Sequence, residues 1–348
     1  MDRALVLTAT RQLQFEELPH RELGPSDVRV RTLLSGVSAG TELCQYRGTS
    51  PFMNAHWDAE RRMFREGEPS WTFPVRNLGY EEVGEIAEIG AAVASVRPGD
   101  IIYGTWGHRT GHVMGEAEIQ GRILPAGADP RIGIFSHIGA VALNGVHDAR
   151  IRIGDLVVVF GLGVPGQIVV QAANASGATV VGVDPMPSRR AMAQRMGASL
   201  TLDPTAGSVA DAIKDAHAGR GADICIEVSG APSALAEAMR TVTYGARVVA
   251  MGFFQGETRG LRLGDEFHHN RIELVSSQIS GVAPEASHRW SKLRLWKTAV
   301  QLQHEHRLNL LPLITDHVPF DEAPALFDRL DRGDPGVLQS VLEFGGSR

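Results

Sequence analysis

The sequence predicts an α/β protein in which a mostly β N-terminal domain precedes a parallel sheet covered by helices. Three observations predict it. Short apolar runs punctuated by Gly and Pro fill the first 125 residues. From Ile138 onward, helix-like and strand-like segments alternate. The apolar run Leu156–Phe160 leads straight into a glycine-rich turn.

In chain order, the N-terminal strands are expected at RALVLT, DVRVRTLLSGV, EEVGEIAEIG and DIIYG, the last introduced by the turn RPGD. Residues 49–76 interrupt this series with two tryptophans, four arginines and a histidine. Within them WDAERRMFRE has the pattern of a short amphipathic helix. The segment is a candidate substrate lid, or equally a surface excursion or subunit contact. Further strands are expected at LVVVF, TVVGV, ADICIEV and ARVVAMG, and helices at PSRRAMAQRMG and SALAEAMRTV. The C-terminal stretch NLLPLITDHVPFDEAPALFDRLDRG ends in a helix, and VLQSVLEF reads as a strand.

Gly161, Gly163 and Gly166 have the spacing G-x-G-x-x-G. The first permits a tight turn, the second a close approach to a pyrophosphate, the third close helix–strand packing. A helix over Pro165–Ser176 would aim its N-terminal amides at the phosphates, with Val164 and Pro165 in its first turn. The next strand ends in Asp184, eighteen residues after Gly166, where a carboxylate accepts from an adenosine ribose. That carboxylate favours NAD over NADP, while Arg189 or Arg190 could reach a 2′-phosphate. Ser229, in IEVSG, and Gly252, closing ARVVAMG, are further candidates for contact with the nucleotide.

With 43% hydrophobic and 21% charged residues, the chain reads as soluble and globular. A net charge of -6 argues against nucleic-acid binding. The N-terminus has no signal-like apolar run and no window suits a membrane span, so a cytoplasmic location is expected. Two cysteines, Cys44 and Cys225, exclude a disulfide framework and a multi-cysteine zinc knuckle.

Five segments together resemble the medium-chain dehydrogenase/reductase superfamily: SGVSAGTELCQYRG, LGYEEVGEIAEIG, the glycine fingerprint, IEVSG and LITDHVPFDEAPALFDRL. The resemblance spans nearly the whole chain. It implies a chaperonin-10-like (GroES-like) barrel over 1–137, a Rossmann domain over 138–294, and a return to the first domain over 295–348. It also implies a homodimer or homotetramer. SAGTEL with GYE is most similar to a zinc-free branch that includes bacteriochlorophyllide dehydrogenases. Where zinc-dependent members carry a cysteine, this chain has Ala39; where they carry a histidine, it has Tyr80. A third ligand position falls near His137, and the four-cysteine structural lobe is missing. No zinc is therefore expected.

The resemblance implies NAD(P)-dependent interconversion of a small alcohol, polyol or sugar-like, and a carbonyl. Reduction of an activated C=C bond and nucleotide-responsive binding without catalysis are the alternatives. Without a metal, an acid, a base or oriented donors must serve the substrate oxygen. The catalytic candidates are Tyr80, Thr41, Glu42, His108 and His137, with Glu81 and His112 near them in sequence. Tyr80 replaces a ligand and Thr41 matches a proton-relay position. His137 is read both as an acid–base group and as a solvated residue near a helix start. His108 and His112 stand four apart, which would pair them only on a helix. His268, His269, Asn270 and Arg271 form either a substrate-reading cluster or a solvated loop.

Overall fold

The structure is a computed structural model and describes residues 1–345. The chain forms two compact units, one of Met1–His137 with the chain from Leu311 onward, the other of Ile138–Leu310. The second unit runs to Leu310, where the sequence reading ended it at 294.

The first unit opens with a hairpin of β1 (Arg3–Ala9) and β2 (Gln12–Glu17). β3 (Asp27–Val37) follows and leads through Ser38 into α1 (Ala39–Tyr46). Next come β4 (His56–Asp58) and β5 (Met63–Arg65), paired antiparallel. This corrects the helix expected over WDAERRMFRE. The apolar positions of that stretch close an aromatic cluster across a hairpin instead: Phe64 lies 5.0 Å from Trp57 and 5.5 Å from Phe52, centroid to centroid. Phe52 stacks on Trp71 at 4.8 Å. β6 (Glu82–Ile89), β7 (Ile101–Gly104), β8 (Gly111–Gly115) and the short α2 (Glu116–Ile119) complete this stretch.

α3 (Phe135–Ala149) leads to the second unit. There β9 (Leu156–Phe160), α4 (Val164–Ala175), β10 (Thr179–Val183), α5 (Pro187–Arg195), β11 (Leu200–Leu202) and α6 (Val209–Ala216) alternate. β12 (Ala222–Glu227), α7 (Pro232–Thr241), β13 (Val242–Ala250), β14 (Glu273–Ser276) and α8 (Lys292–His304) follow. The six strands pair in parallel in the order β11-β10-β9-β12-β13-β14. That order reverses between β9 and β12, the switch point where doubly wound sheets bind ligands. The central strands are apolar because helices cover both faces: Val157, Val158, Val159, Cys225 and Ile226 are fully buried.

The chain then returns to the first unit as β15 (Ile314–Pro319), α9 (Ala323–Arg332) and β16 (Gln339–Glu343). β16 pairs antiparallel with β3, so Ser340 faces Val37. The resulting sheet runs β15-β16-β3-β6-β7, with β8 also on β3. β3 touches three partners and ends one residue before α1, so it fixes where α1 begins. Under α1 lies a core that includes Leu43, Tyr46, Leu78 and Phe327. Among the described residues no helix is long and apolar enough to cross a membrane.

Candidate active site

The glycine turn has the geometry that its spacing predicts. Gly161 has φ +90°, which side chains rarely adopt. A Cβ on Gly166 would stand 1.9 Å from the Gly161 carbonyl oxygen, so only glycine lets α4 close on the turn. Gly163 is the N-cap of α4 and brings no side-chain cap, and a Cβ there would meet only Pro165, at 4.0 Å. An open N-terminal turn of twelve-residue α4 fits a pyrophosphate. Val164 and Pro165 begin that helix. Ser229 lies against the same turn, because a Cβ on Gly161 would touch its backbone nitrogen at 2.7 Å. Gly252 packs on Gly230 just as closely. Beneath them sits Glu227, a fully buried carboxylate that accepts from the amides of Ser229 at 2.8 Å and Gly230 at 3.1 Å. Sequence reasoning passed over Glu227; the signal was an acid closing an apolar strand.

Asp184 does more than the motif suggests. It is buried, and its carboxylate accepts from the Leu162 amide at 2.9 Å and the Met186 amide at 2.8 Å. One oxygen thereby holds the middle of the Gly161–Gly163 turn. Arg189 stands 3.7 Å away, while Arg190 turns to the Asp184 carbonyl and to Asp203.

In the first unit, Ser38 joins β3 to α1, and the Tyr80 hydroxyl donates a hydrogen bond to its Oγ. Thr41 sits in the first turn of α1, close enough to the phenol to influence its titration. The His137 ring packs edge-on to Tyr80 with centroids 5.0 Å apart. Tyr80, Ser38, Thr41 and His137 therefore form one cluster, each partly exposed. Burial, and then the charge of Glu81, push the Tyr80 phenol well above its ordinary range, so it stays a proton donor. Glu81 points the other way, into the interior, where Gln339 lies 3.3 Å from it. Burial, and secondly the neighbouring Glu42, push the Glu81 carboxyl well above the usual carboxylate range.

His108 and Glu42 form a second, buried group. His108 Nε2 is 2.7 Å from Glu42 Oε2, and Nδ1 is 2.7 Å from Ser35 Oγ. Ser35 donates to Glu82 at 3.0 Å. Ser35 and Glu82 were missed in the sequence; two consecutive acids before an apolar strand were the available signal. His112 does not join His108, for its ring stacks on Trp106 and β8 is extended rather than helical. His268 and His269 are exposed at the end of a short helical segment before β14.

Zinc does not fit the residues present. Ala39 offers a methyl group, which packs against the apolar core under α1. Tyr80 is held protonated, and its neighbours Ser38 and Thr41 are neutral hydroxyls, poor ligands beside thiolate or imidazole. Among the described residues no three His, Cys, Asp or Glu side chains converge as a metal site.

Residues 165–296 match the family model described as "Zinc-binding dehydrogenase". The chain is 33% identical over 329 residues to the D-guloside 3-dehydrogenase of Escherichia coli K12, covering 92% of this chain and 94% of that protein. A Sinorhizobium meliloti 1021 chain bound to NADP superposes with a TM-score of 0.79 at 23% identity, covering 99% of each chain. A short chain alcohol dehydrogenase from Escherichia coli CFT073, complexed with NADH, gives 0.78 at 17% identity and 99% coverage of both. These two likenesses show a shared fold: a Rossmann unit and a GroES-like unit.

One titration follows from the site's surroundings. Burial, and secondly the charge of Arg109, lower the His112 pKa to about 4. An unfolded chain takes up that proton near pH 6.5, so this contribution to stability is complete above about 6.5 and is lost as pH falls toward 4. We expect His112→Gln to lose less of its thermal midpoint than the native chain between neutral pH and pH 4. Parallel pH-dependent melts check this, and an equal loss in both proteins would contradict it.

Proposed function

The chain belongs to the zinc-binding dehydrogenase family of the medium-chain dehydrogenase/reductase superfamily, and from that premise we propose that it interconverts an alcohol of a polyol or sugar-like substrate and the matching carbonyl, using NAD(H) and no zinc. The observation that carries this reading is the hydroxyl cluster around Tyr80, standing where relatives are expected to bind a metal. The D-guloside 3-dehydrogenase relative supports a sugar-like alcohol. The exposed aromatic edge of the β4–β5 hairpin, with Trp57 and Phe64, supports a cover for an apolar ring face.

Bound nicotinamide supplies the hydride acceptor or donor. The chain's own residues serve the substrate oxygen. Hydroxyl hydrogens rotate, so Ser38 can donate to the phenol oxygen while Tyr80 turns its proton toward the substrate. In reduction, Tyr80 then stabilises the oxygen by hydrogen bonding as negative charge develops and keeps its own proton, while His137 supplies the proton that the product takes up. In oxidation the substrate hydroxyl proton must leave, and a phenol held protonated cannot receive it. His137, edge-on to Tyr80, is the acceptor in that direction, and Thr41 extends the hydroxyl chain. Glu42 and His108 touch each other rather than solvent, so both act from behind.

Three tests bear on this reading. NAD(H) should bind more tightly than NADP(H), because a 2′-phosphate would approach the Asp184 carboxylate. Calorimetric titration of both cofactors measures the gap. Asp184→Ser should narrow it and weaken both, since the Leu162 amide loses its acceptor. A native preference for NADP(H) would move the assignment to Arg189. For the metal, activity should survive a chelator, with less than one zinc per chain by elemental analysis. Activity lost on chelation and restored by zinc would reject zinc independence. For the substrate oxygen, a cofactor-linked screen of alcohols, sugars, ketones and enones supplies a working substrate. Tyr80→Phe should then lose roughly tenfold or more in kcat/KM with NADH affinity nearly unchanged. Full turnover in that variant would remove Tyr80 from the mechanism.

A further inference from the structure

The second buried group raises a question that the hydroxyl cluster does not answer: what keeps three separate chain segments in register around Tyr80. In metal-bearing relatives the ion itself would tie the ligand-bearing segments together. Here the segments are the end of β3 at Ser35, the first turn of α1 at Glu42, and the stretch Leu78–Glu82. His108 touches all three, and Glu42 in turn holds the Ser38 amide.

Its backbone amide donates to the Leu78 carbonyl at 2.8 Å. Its ring lies directly beneath Gly79, the residue before Tyr80. A Cβ on Gly79 would stand 2.6 to 2.8 Å from the ring atoms Cε1, Nδ1 and Nε2, and Gly79 has φ +94°. Only glycine there lets the ring reach its partners. Nε2 meets Glu42 Oε2 on α1, and the other oxygen of that carboxylate accepts from the Ser38 amide at 2.8 Å. Nδ1 meets Ser35 Oγ on β3. The Phe327 ring of α9 closes the pocket, 6.2 Å from the imidazole.

With Glu42 and Glu82 carrying their charges, the hydrogen bonds set the proton count. Both Glu82 oxygens accept, Oε1 from Ser35 Oγ and the Glu81 amide, Oε2 from the Trp106 amide at 2.6 Å. Ser35 has one proton and gives it to Glu82, so its oxygen accepts from His108 Nδ1. Nε2 faces a carboxylate and must also donate. Both ring nitrogens carry protons, and His108 is an imidazolium. The charged groups facing it are Glu42 from α1, Glu82 from the start of β6, and its neighbour Arg109. Burial, the largest single influence, lowers the pKa of His108, but the charge and hydrogen bond of Glu42 together with the charge of Glu82 outweigh it, and the net shift is upward.

We infer that the buried imidazolium of His108, clamped between Glu42 and the Ser35–Glu82 pair, is a positioning residue that holds Ser38 and Tyr80 in register, the mechanical task that a metal performs in zinc-bearing relatives. Its consequence for turnover rests on the reading of Tyr80 given above; its consequence for local order does not.

The test uses the full chain with NADH. In His108→Gln, amide hydrogen exchange at 38–42 and 78–82 should quicken about fivefold or more, with exchange across β9 and α4 and the NADH affinity unchanged. Turnover should fall about tenfold, and the double variant with Tyr80→Phe should be no slower than Tyr80→Phe alone. Should His108→Gln not fold, Glu42→Gln keeps the shape and an acceptor for the Ser38 amide, removes the charge, and is read in the same way. Unchanged exchange at those two segments overturns the inference, and so do losses that multiply in the double variant. If Tyr80→Phe alone keeps full turnover, the donor role of Tyr80 falls, while the exchange measurement still decides the role of His108.

Discussion

A charge taken out of water must find its partners in the interior, and in the first unit that requirement organises the rest. His108 has no exposed side-chain surface, and Glu42, Glu82 and Ser35 around it are equally enclosed. An unpaired ion in such a place would cost several kcal/mol, and breaking one half of a buried pair is strongly destabilising. The partners therefore cannot drift. Glu42 is carried by α1, Ser35 by β3 and Glu82 by β6, so the meeting of these side chains fixes three backbones at once. Ser38 and Tyr80 inherit their positions from that meeting. Residues on the exposed side of the junction are free to be chosen for chemistry, because those behind it supply the rigidity.

In the second unit a close steric approach plays the corresponding part. The helix α4 can aim its first amides at an anion only if it sits hard against the turn after β9. The contact between Gly166 and the Gly161 carbonyl leaves no room for a methyl group. Two carboxylates then set the surrounding loops. Asp184 holds the Leu162 amide from one side, and Glu227 gathers the amides of Ser229 and Gly230 from the other. The cofactor discrimination proposed for Asp184 would thus share one side chain with the turn geometry, so that altering one disturbs the other.

The sequence made the parallel sheet legible because a two-sided buried strand and a G-x-G-x-x-G turn leave local signatures in apolar runs and glycine spacing. The strands β9, β10, β12 and β13 fall at LVVVF, TVVGV, ADICIEV and ARVVAMG. The hairpin at 56–65 was not legible. Its spacing satisfied a helix, and the winning term was the packing of Phe64 on Trp57 and Phe52, a contact local spacing does not encode. The cluster of Tyr80, Thr41 and His137 was reachable only because a family motif marks those positions. Ser35 and Glu82 were not reachable as partners of His108, although the two consecutive acids at 81–82 were a visible signal. Ser35 lies 73 residues from His108 and Glu82 lies 24 from Trp106, and nothing in either neighbourhood announces the other. A buried polar network is a property of the fold, read from distances rather than from spacing.

A bound metal does two jobs in one atom: it polarises the substrate oxygen and it ties its ligands together. On the proposed reading, the two jobs have separate owners in this chain. Polarisation needs a donor that faces the substrate and keeps its proton, which burial secures for Tyr80. Tying needs a charge that never meets the substrate, which His108 provides behind Gly79. The division has a physical logic. A phenol is a far weaker electrophile than a divalent ion, so its contribution depends more steeply on alignment, and a misplacement of a fraction of an ångström forfeits much of it. A donor of that kind is useful only on a frame stiffer than its own side chain, and the cost of leaving a buried imidazolium unpaired is what makes this frame stiff.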